Sequence, residues 1–394
     1  MTALVVGIAW LNFQSQPNND FTEYYCAGQI VRTGQGHRLY DLMTQFQCET
    51  SFGPVHVFFY HPAWESLLFV PFTFLGHHAA YFLWTLFSIG LLIISTQHIE
   101  SRTKASCVIT AYTRVPADLG LLYAVFLTFA PVTTCLLLGQ DSMLMLLIYT
   151  LVFVFFDQKK AFLAGFVLAF GLYKFQAVVP FVLILALSRQ RKALAGFATG
   201  ALIPISVSLI VGGAQSVVAY PRFLLTGIQQ NIGGFNPRAA PNIRGLLTLA
   251  LGDVLSPRAV IVLVALTSIL ILWWMGRSWK EKQFRFSFAG ALLATVLASF
   301  HLYNYELSVL LLPISIVCSE LARYDLLRRE KILLLTLVPL FIAPLHRLLS
   351  LHDVYALMCV PILSMLWITQ RLAVLGEVVS GQPMRTSPDE PVDG

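Results

Sequence analysis

Apolar blocks of bilayer length, parted by short basic stretches, constrain this chain more than any other feature. "VIVLVALTSILILWWM" (260–275) and "VYALMCVPILSMLWI" (354–368) are examples. A helix rises about 1.5 Å per residue, so about 20 apolar residues cross a hydrocarbon core of roughly 30 Å. Backbone groups in lipid have no water to bond, so such blocks must be helical or close into a barrel. They lack the period-2 alternation of a barrel strand, which leaves helices. Charged residues make up 12% of the chain and hydrophobic ones 57%, with mean hydropathy +0.72. Soluble domains carry about 25% charged residues, so this chain cannot cover a globule with polar surface. The expectation is an all-α integral membrane protein. The net charge of +6 sits between apolar blocks and not on one basic face, so it reads as membrane topology and no nucleic-acid partner is expected.

Twelve candidate helices lie near 1–13, 79–97, 118–136, 142–157, 161–173, 176–187, 191–212, 257–276, 284–300, 302–321, 332–346 and 353–371. The opening stretch 1–13 is short for a span. Two choices set the topology. The segment 161–187 is read as two short helices broken around Lys174, and 62–76 as a dipping or interfacial segment. With the N-terminus inside, 18 of the 26 Lys and Arg then fall on the inner side, among them Arg102, Lys159, Lys160, Arg189, Arg191 and Arg285. That satisfies the positive-inside rule. Residues 1–375 are expected to form one polytopic domain, with long outer loops at 14–61 and 213–256. Residues 376–394 are a polar, disordered inner tail. Long loops between spans usually carry function, so chemistry is expected on the outer face.

The first loop is the most informative. In "NNDFTEYYCAGQIVRTGQGHRLYD" (18–41), Phe21, Tyr24, Gly28 and Val31 recur at helical spacing, and Gly34 and Gly36 stop the helix. This predicts an amphipathic helix lying on the membrane surface. Asp20 opens it. The pattern Asp20 to Glu23 suits a capping box; a carboxylate at the water–lipid boundary also suits a general base. The two roles compete, because a capped carboxylate loses basicity. Cys26 and Cys48 share the loop, and a disulfide between them is open. Cys107, Cys135, Cys318 and Cys359 lie in or near apolar stretches.

Here the chain resembles glycosyltransferase family 87, the multi-span GT-C enzymes that use polyprenyl-phosphate sugars. The resemblance rests on "NDFTEYYCAGQIVRTGQGHRLYD" and continues through "YHPAWESLLFVPFTFL" (60–75), "LLLGQDSMLMLLI" (136–148), "APNIRGLL" (240–247) and "ASFHLYNYELSVLLLP" (298–313). It covers roughly residues 18–321. Three departures stand out. The family's Lys-Pro-Gln is Lys174-Phe175-Gln176, its Ser-Pro-His is Ser299-Phe300-His301, and the acid after Tyr305 is Glu306.

The resemblance implies a GT-C-type bundle in the plasma membrane of a bacterium, with its site on the extracytoplasmic side. It implies transfer of a hexose, mannose foremost, from a polyprenyl-phosphate donor to a lipid or glycan acceptor, with inversion. Asp20 would be the base and His301 its neighbour. Lys174, Arg244, Arg238, Asn242 and Gln176 would hold the donor phosphate; Tyr24, Tyr25, Tyr305 and Glu306 would line the pocket. Plainer readings stand beside these: snorkelling for Lys174, a solvated turn for 233–247, a polar anchor for His301, helix-dipole stabilisation for Glu306. Gln140 and Asp141 read as a plain turn. No metal spacing, phosphate loop or dinucleotide fingerprint is present, and no cofactor is expected. The rival is a transporter or flippase of a lipid-linked sugar, which also uses broken helices and intramembrane charge.

Overall fold

The computed structural model describes residues 20–53, 57–113, 116–230, 235–323 and 334–380. Among them the secondary structure is entirely helical. The expected helix at 1–13 and residues 381–394 of the expected tail lie outside the described residues; 376–380, expected to be disordered, are helical because the last helix runs on to Ser380. After the first-loop helices α1 (Phe21–Arg32) and α2 (Leu42–Glu49), a short helical run spans 63–74. The bundle then follows: α3 (His77–Thr103), α4 (Leu119–Thr128), α5 (Ala130–Leu138), α6 (Ser142–Asp157), α7 (Ala161–Leu168), α8 (Phe175–Leu187) and α9 (Arg191–Gln230). It closes with α10 (Ile243–Leu251), α11 (Pro257–Arg277), α12 (Phe284–Ala298), α13 (Leu311–Arg323) and α14 (Cys359–Ser380).

By length and composition five described stretches could cross a membrane, or six if the bent pair α4–α5, angled by 70°, counts as one. The remaining sequence candidates form shorter or broken helices. One of the five is 161–187, and its contacts fold it back. Gly165 packs so tightly against the Ala193 carbonyl that a Cβ there would overlap it, and Gly196 meets the Phe162 carbonyl in the same way. In one straight helix Gly165 and Leu187 would lie about 33 Å apart. The six residues from Leu187 to Ala193 reach at most about 22 Å even when extended. So α7 and α9 run directly side by side in the same direction, and α8 makes the return run that links them. The reversal falls at the end of a 3-10 stretch, at Lys174, whose φ of −114° and ψ of 68° leave the helical region. The split read from the charge pattern is therefore a helical hairpin.

Two expectations need correction. The outer loop drawn at 213–256 is largely helix. Gly213 takes φ 72° and ψ 169°, open in practice only to glycine, and the helix resumes beyond it to Gln230. Nor does α1 lie with one bare face on a surface. Phe21 to Gly28 are buried without interruption, Gly28 against the Phe69 backbone and Phe21 stacked on Tyr81. Consecutive buried residues cover every side of a helix, so α1 is embedded in protein. Its Cys26 is disulfide-bonded to Cys48 of α2, with the Cα atoms 5.8 Å apart.

The core centres on α12, buried from Phe286 to Leu297. The outer helices differ: α9 exposes Leu202, Ile205 and Ile210, and α11 exposes Ile261, Ile269 and Leu270. Such apolar exposure fits lipid as the surrounding solvent. At one end of the bundle Arg102 meets Asp157 at 3.1 Å, and Arg285 meets Glu320 at 3.0 Å and Asp157 at 3.8 Å. The polar cluster described next lies at the opposite end.

Candidate active site

Asp20 opens α1 with helical backbone angles (φ −61°, ψ −18°) and makes no side-chain cap. A capping residue needs extended backbone to turn its oxygen back onto the first turn, so the capping role fails on geometry. The carboxylate instead accepts a 2.7 Å hydrogen bond from Gln140 Nε2. Gln140 Oε1 in turn accepts from the Tyr24 hydroxyl at 2.8 Å. Burial pushes the Asp20 carboxyl above its ordinary range, against the lowering pull of Gln140 and of the Lys174 charge. Glu23, one turn on and fully enclosed, is pushed well up by burial and by neighbouring carboxylates.

Lys174, at the apex of the α7–α8 hairpin, is buried. Its Nζ lies 2.5 Å from Asp141 Oδ1, 3.2 Å from Ser142 Oγ and 3.7 Å from Glu306 Oε1, and sits 5.2 Å from the Tyr305 ring centre. Glu306 also accepts from the Tyr303 backbone N–H at 2.6 Å and from Gln176 Nε2 at 3.5 Å. The Tyr303 bond is the reciprocal bond of a capping box at the start of the 304–310 turn. A snorkelling lysine would end in water; this one ends between two carboxylates.

The corner after α12 forms a second group. Asn242 caps α10 by accepting from the Gly245 N–H at 2.9 Å and donates to the Ser299 carbonyl at 2.7 Å. Its amide is thus spent on holding the loop to the corner, because a fully buried amide must find partners for both ends. Arg244 donates to the Phe300 carbonyl at 3.1 Å and lies over the Phe300 and Phe235 rings, 4.0 and 4.9 Å from their centres. His301 lies between Phe235 and Tyr303, tilted on the first ring and edge-on to the second, and Tyr303 stacks on Tyr305 above Lys174. Burial, with Arg244 and Lys174 nearby, lowers His301 to about 4, so its imidazole is neutral at pH 7. No described hydrogen bond joins it to Asp20.

The fold therefore unites Asp20, Tyr24, Lys174, Gln176, Tyr305 and Glu306, with Arg244, Asn242 and His301 adjoining through the tyrosine stack. Two expected members stand apart. Tyr25 donates to the Leu75 carbonyl at 2.8 Å on the far side of α1. Arg238 is ion-paired with exposed Asp253.

Sequence reasoning missed four residues at the centre. In the sequence Gln140 and Asp141 read as a turn, and His61 and Glu65 carry no local motif. His61 Nδ1 lies 2.7 Å from Glu65 Oε2 and 4.0 Å from Asp141 Oδ2, and its Nε2 lies 3.5 Å from the Tyr24 hydroxyl. Facing ligand atoms of His61, Glu65 and Asp141 all fall within 4.8 Å of one another. The absence of a metal spacing in the sequence thus did not carry into space. The signal that could have found these residues was the presence of ionisable groups beside apolar blocks, where a buried charge needs a partner. Alongside lies a cavity of about 190 Å³, bounded by Tyr40, Pro62, Trp64, Leu172, Pro204 and Tyr220.

Fold and site together define a polytopic helical membrane protein with a buried carboxylate–lysine centre at one end of its bundle. Residues 58–299 match glycosyltransferase family 87, and the chain belongs to that family. It is a membrane glycosyltransferase. No curated protein and no solved structure matches it.

Proposed function

We propose that this enzyme moves a hexose, mannose foremost, from a polyprenyl-phosphate donor to a lipid or glycan acceptor. Transfer takes place at the extracytoplasmic face of a bacterial plasma membrane. Residues 1–375 form one domain of about twelve crossings, and 376–394 a cytoplasmic tail. The observation that carries the mechanism is Asp20: its carboxylate is free of the helix cap, raised in basicity by burial and held in place by Gln140. A carboxylate made more basic by burial suits proton abstraction from a hydroxyl.

In the proposed step Asp20 takes the acceptor hydroxyl proton as that oxygen bonds to the anomeric carbon. The bond from that carbon to the donor phosphate breaks on the opposite face, which inverts the configuration and releases polyprenyl phosphate. Arg244 is the better phosphate contact, since one edge of its guanidinium is anchored on Phe300 and the group is partly exposed. A guanidinium in a fixed plane suits phosphate oxygens. Lys174 acts from below, through charge already shared with Asp141 and Glu306. The neutral His301 can accept a hydrogen bond from a sugar hydroxyl. The Cys26–Cys48 disulfide supports the placement of the first loop in an oxidising compartment.

The test is transfer by the purified protein from radiolabelled polyprenyl-phosphate mannose to extracted membrane acceptors. Asp20→Asn is expected to lower kcat about 10²–10⁴-fold with unchanged thermal melting. Transfer at the wild-type rate by Asp20→Asn would remove the base role. No transfer by wild type from any polyprenyl-phosphate hexose would remove the donor assignment.

A further inference from the structure

His61, Glu65 and Asp141 form a donor set that the transfer step leaves unused. His61 and Glu65 flank the turn opened by Pro62, and Asp141 arrives from the turn before α6. Glu65 is wholly buried, and its carboxylate oxygens make no well-formed hydrogen bond among the described residues, although its carboxyl lies against that of Asp141. Glu65 Oε2 lies 2.7 Å from His61 Nδ1. Asp141 divides its two oxygens, Oδ1 towards Lys174 and Oδ2 towards His61.

The charge balance is one-sided. Glu23, Glu65, Asp141 and Glu306 are buried, Asp20 stands at their rim, and Lys174 is the one lysine or arginine paired with them among the described contacts. Buried carboxylates without enough donors are costly and are settled by protons or by a cation. Two buried carboxylates and an imidazole nitrogen whose facing atoms converge within 4.8 Å favour the cation. Metal–ligand bonds of about 2.0–2.2 Å put neighbouring ligand atoms roughly 3–3.6 Å apart. The His61–Glu65 and His61–Asp141 separations of 2.7 and 4.0 Å bracket that range, and all three ligand atoms lie within 4.8 Å of one another. One imidazole with two carboxylates is a mixed set that suits Mn²⁺ or Zn²⁺ better than an all-oxygen magnesium or calcium site.

The geometry points to a divalent-cation site, of the Mn²⁺ or Zn²⁺ class, held by His61 Nδ1, Glu65 and Asp141 Oδ2. Three protein ligands leave positions open for water or an anionic oxygen. That such an oxygen belongs to the donor phosphate rests on the transfer reading above; the site itself does not.

The experiment strips full-length protein in detergent with chelator, then titrates Mn²⁺ with free ion read by electron paramagnetic resonance. Bound Zn²⁺ is measured by elemental analysis after dialysis. The expected result is one ion per chain, bound at least about 10-fold more weakly by Glu65→Gln and as tightly as wild type by Asp20→Asn. Failure of wild type to bind either ion at about 1 mM, a very weak affinity, would overturn the site and leave the carboxylates as proton-sharing groups. Glu65→Gln binding as tightly as wild type would overturn it too, by placing the ion elsewhere. If Glu65→Gln does not fold, His61→Gln takes its place, and the wild-type titration decides by itself. Ion binding by a protein that transfers no sugar would defeat the transfer reading while sustaining the site.

Discussion

The two ends of the bundle handle buried charge in opposite ways. At one end Arg102 and Arg285 face Asp157 and Glu320, two cations for two acids, each partly open to solvent or closely paired. At the other, Lys174 lies between Asp141 and Glu306 while Glu23 and Glu65 are buried beside them. A balanced set ties helices together and needs nothing further. A surplus of carboxylates in a low-dielectric site is unstable unless something neutralises it, which is the usual condition of a site that handles protons or binds ligands. The contrast separates residues that hold the fold from those proposed to carry the reaction.

Removing the lone lysine should break this contrast most sharply. Lys174→Met would leave Asp141 and Glu306 uncompensated, and removing one partner of a buried pair costs about 3–5 kcal/mol. The expected outcome is a large fall in melting temperature in detergent, with Lys174→Met/Asp141→Asn recovering part of it. Next comes the pH profile. Because burial raises the Asp20 carboxyl, Asp20 is protonated, and so inactive as a base, at a pH where an ordinary aspartate is already ionised. The acid limb of kcat/KM is expected above about 3.9, and an acid limb at the ordinary aspartate value would count against burial as the tuning force. The smallest effect belongs to the balanced end. Arg285→Gln should cost about 0.2–1 kcal/mol and leave the transfer rate as it was. A loss of transfer there would mean that the two ends are coupled.

Much of the frame was legible in the sequence. The apolar blocks gave the helices, and the basic clusters at 159–160 and 189–192 required the reversal at Lys174 that the contacts contain. Asp20 and Lys174 stand out in the sequence as ionisable groups beside apolar blocks, and Glu306 through the family resemblance. The roles of Gln140, Asp141, His61 and Glu65 were not legible. Their chemistry depends on distances between segments some 75 residues apart, which no local spacing encodes. The embedding of α1 escaped for a related reason: its apolar face was visible, but the burial of its polar face, with Thr22 bonded to His77, depends on α3 packing across it. Asn242 was read as a phosphate contact because loops rich in Asn, Gly and Pro look alike whether they grip a ligand or each other.

The hairpin at 161–187 also bears on how the chain is made. Emerging from the ribosome, its 27 apolar residues have the length and hydropathy of one ordinary crossing. Threaded that way, everything after residue 188 would be delivered to the wrong compartment, and Lys174 would sit mid-bilayer without Asp141 or Glu306. The glycine seam joining Gly165, Gly196 and Gly200 to the facing backbone forms only after α9 has been synthesised. Correct orientation of the second half of the protein is thus decided late, by helices translated after the ambiguous segment. A chain halted before residue 200 is expected to orient this region differently from the finished protein, as reporter fusions after residues 188 and 230 would reveal.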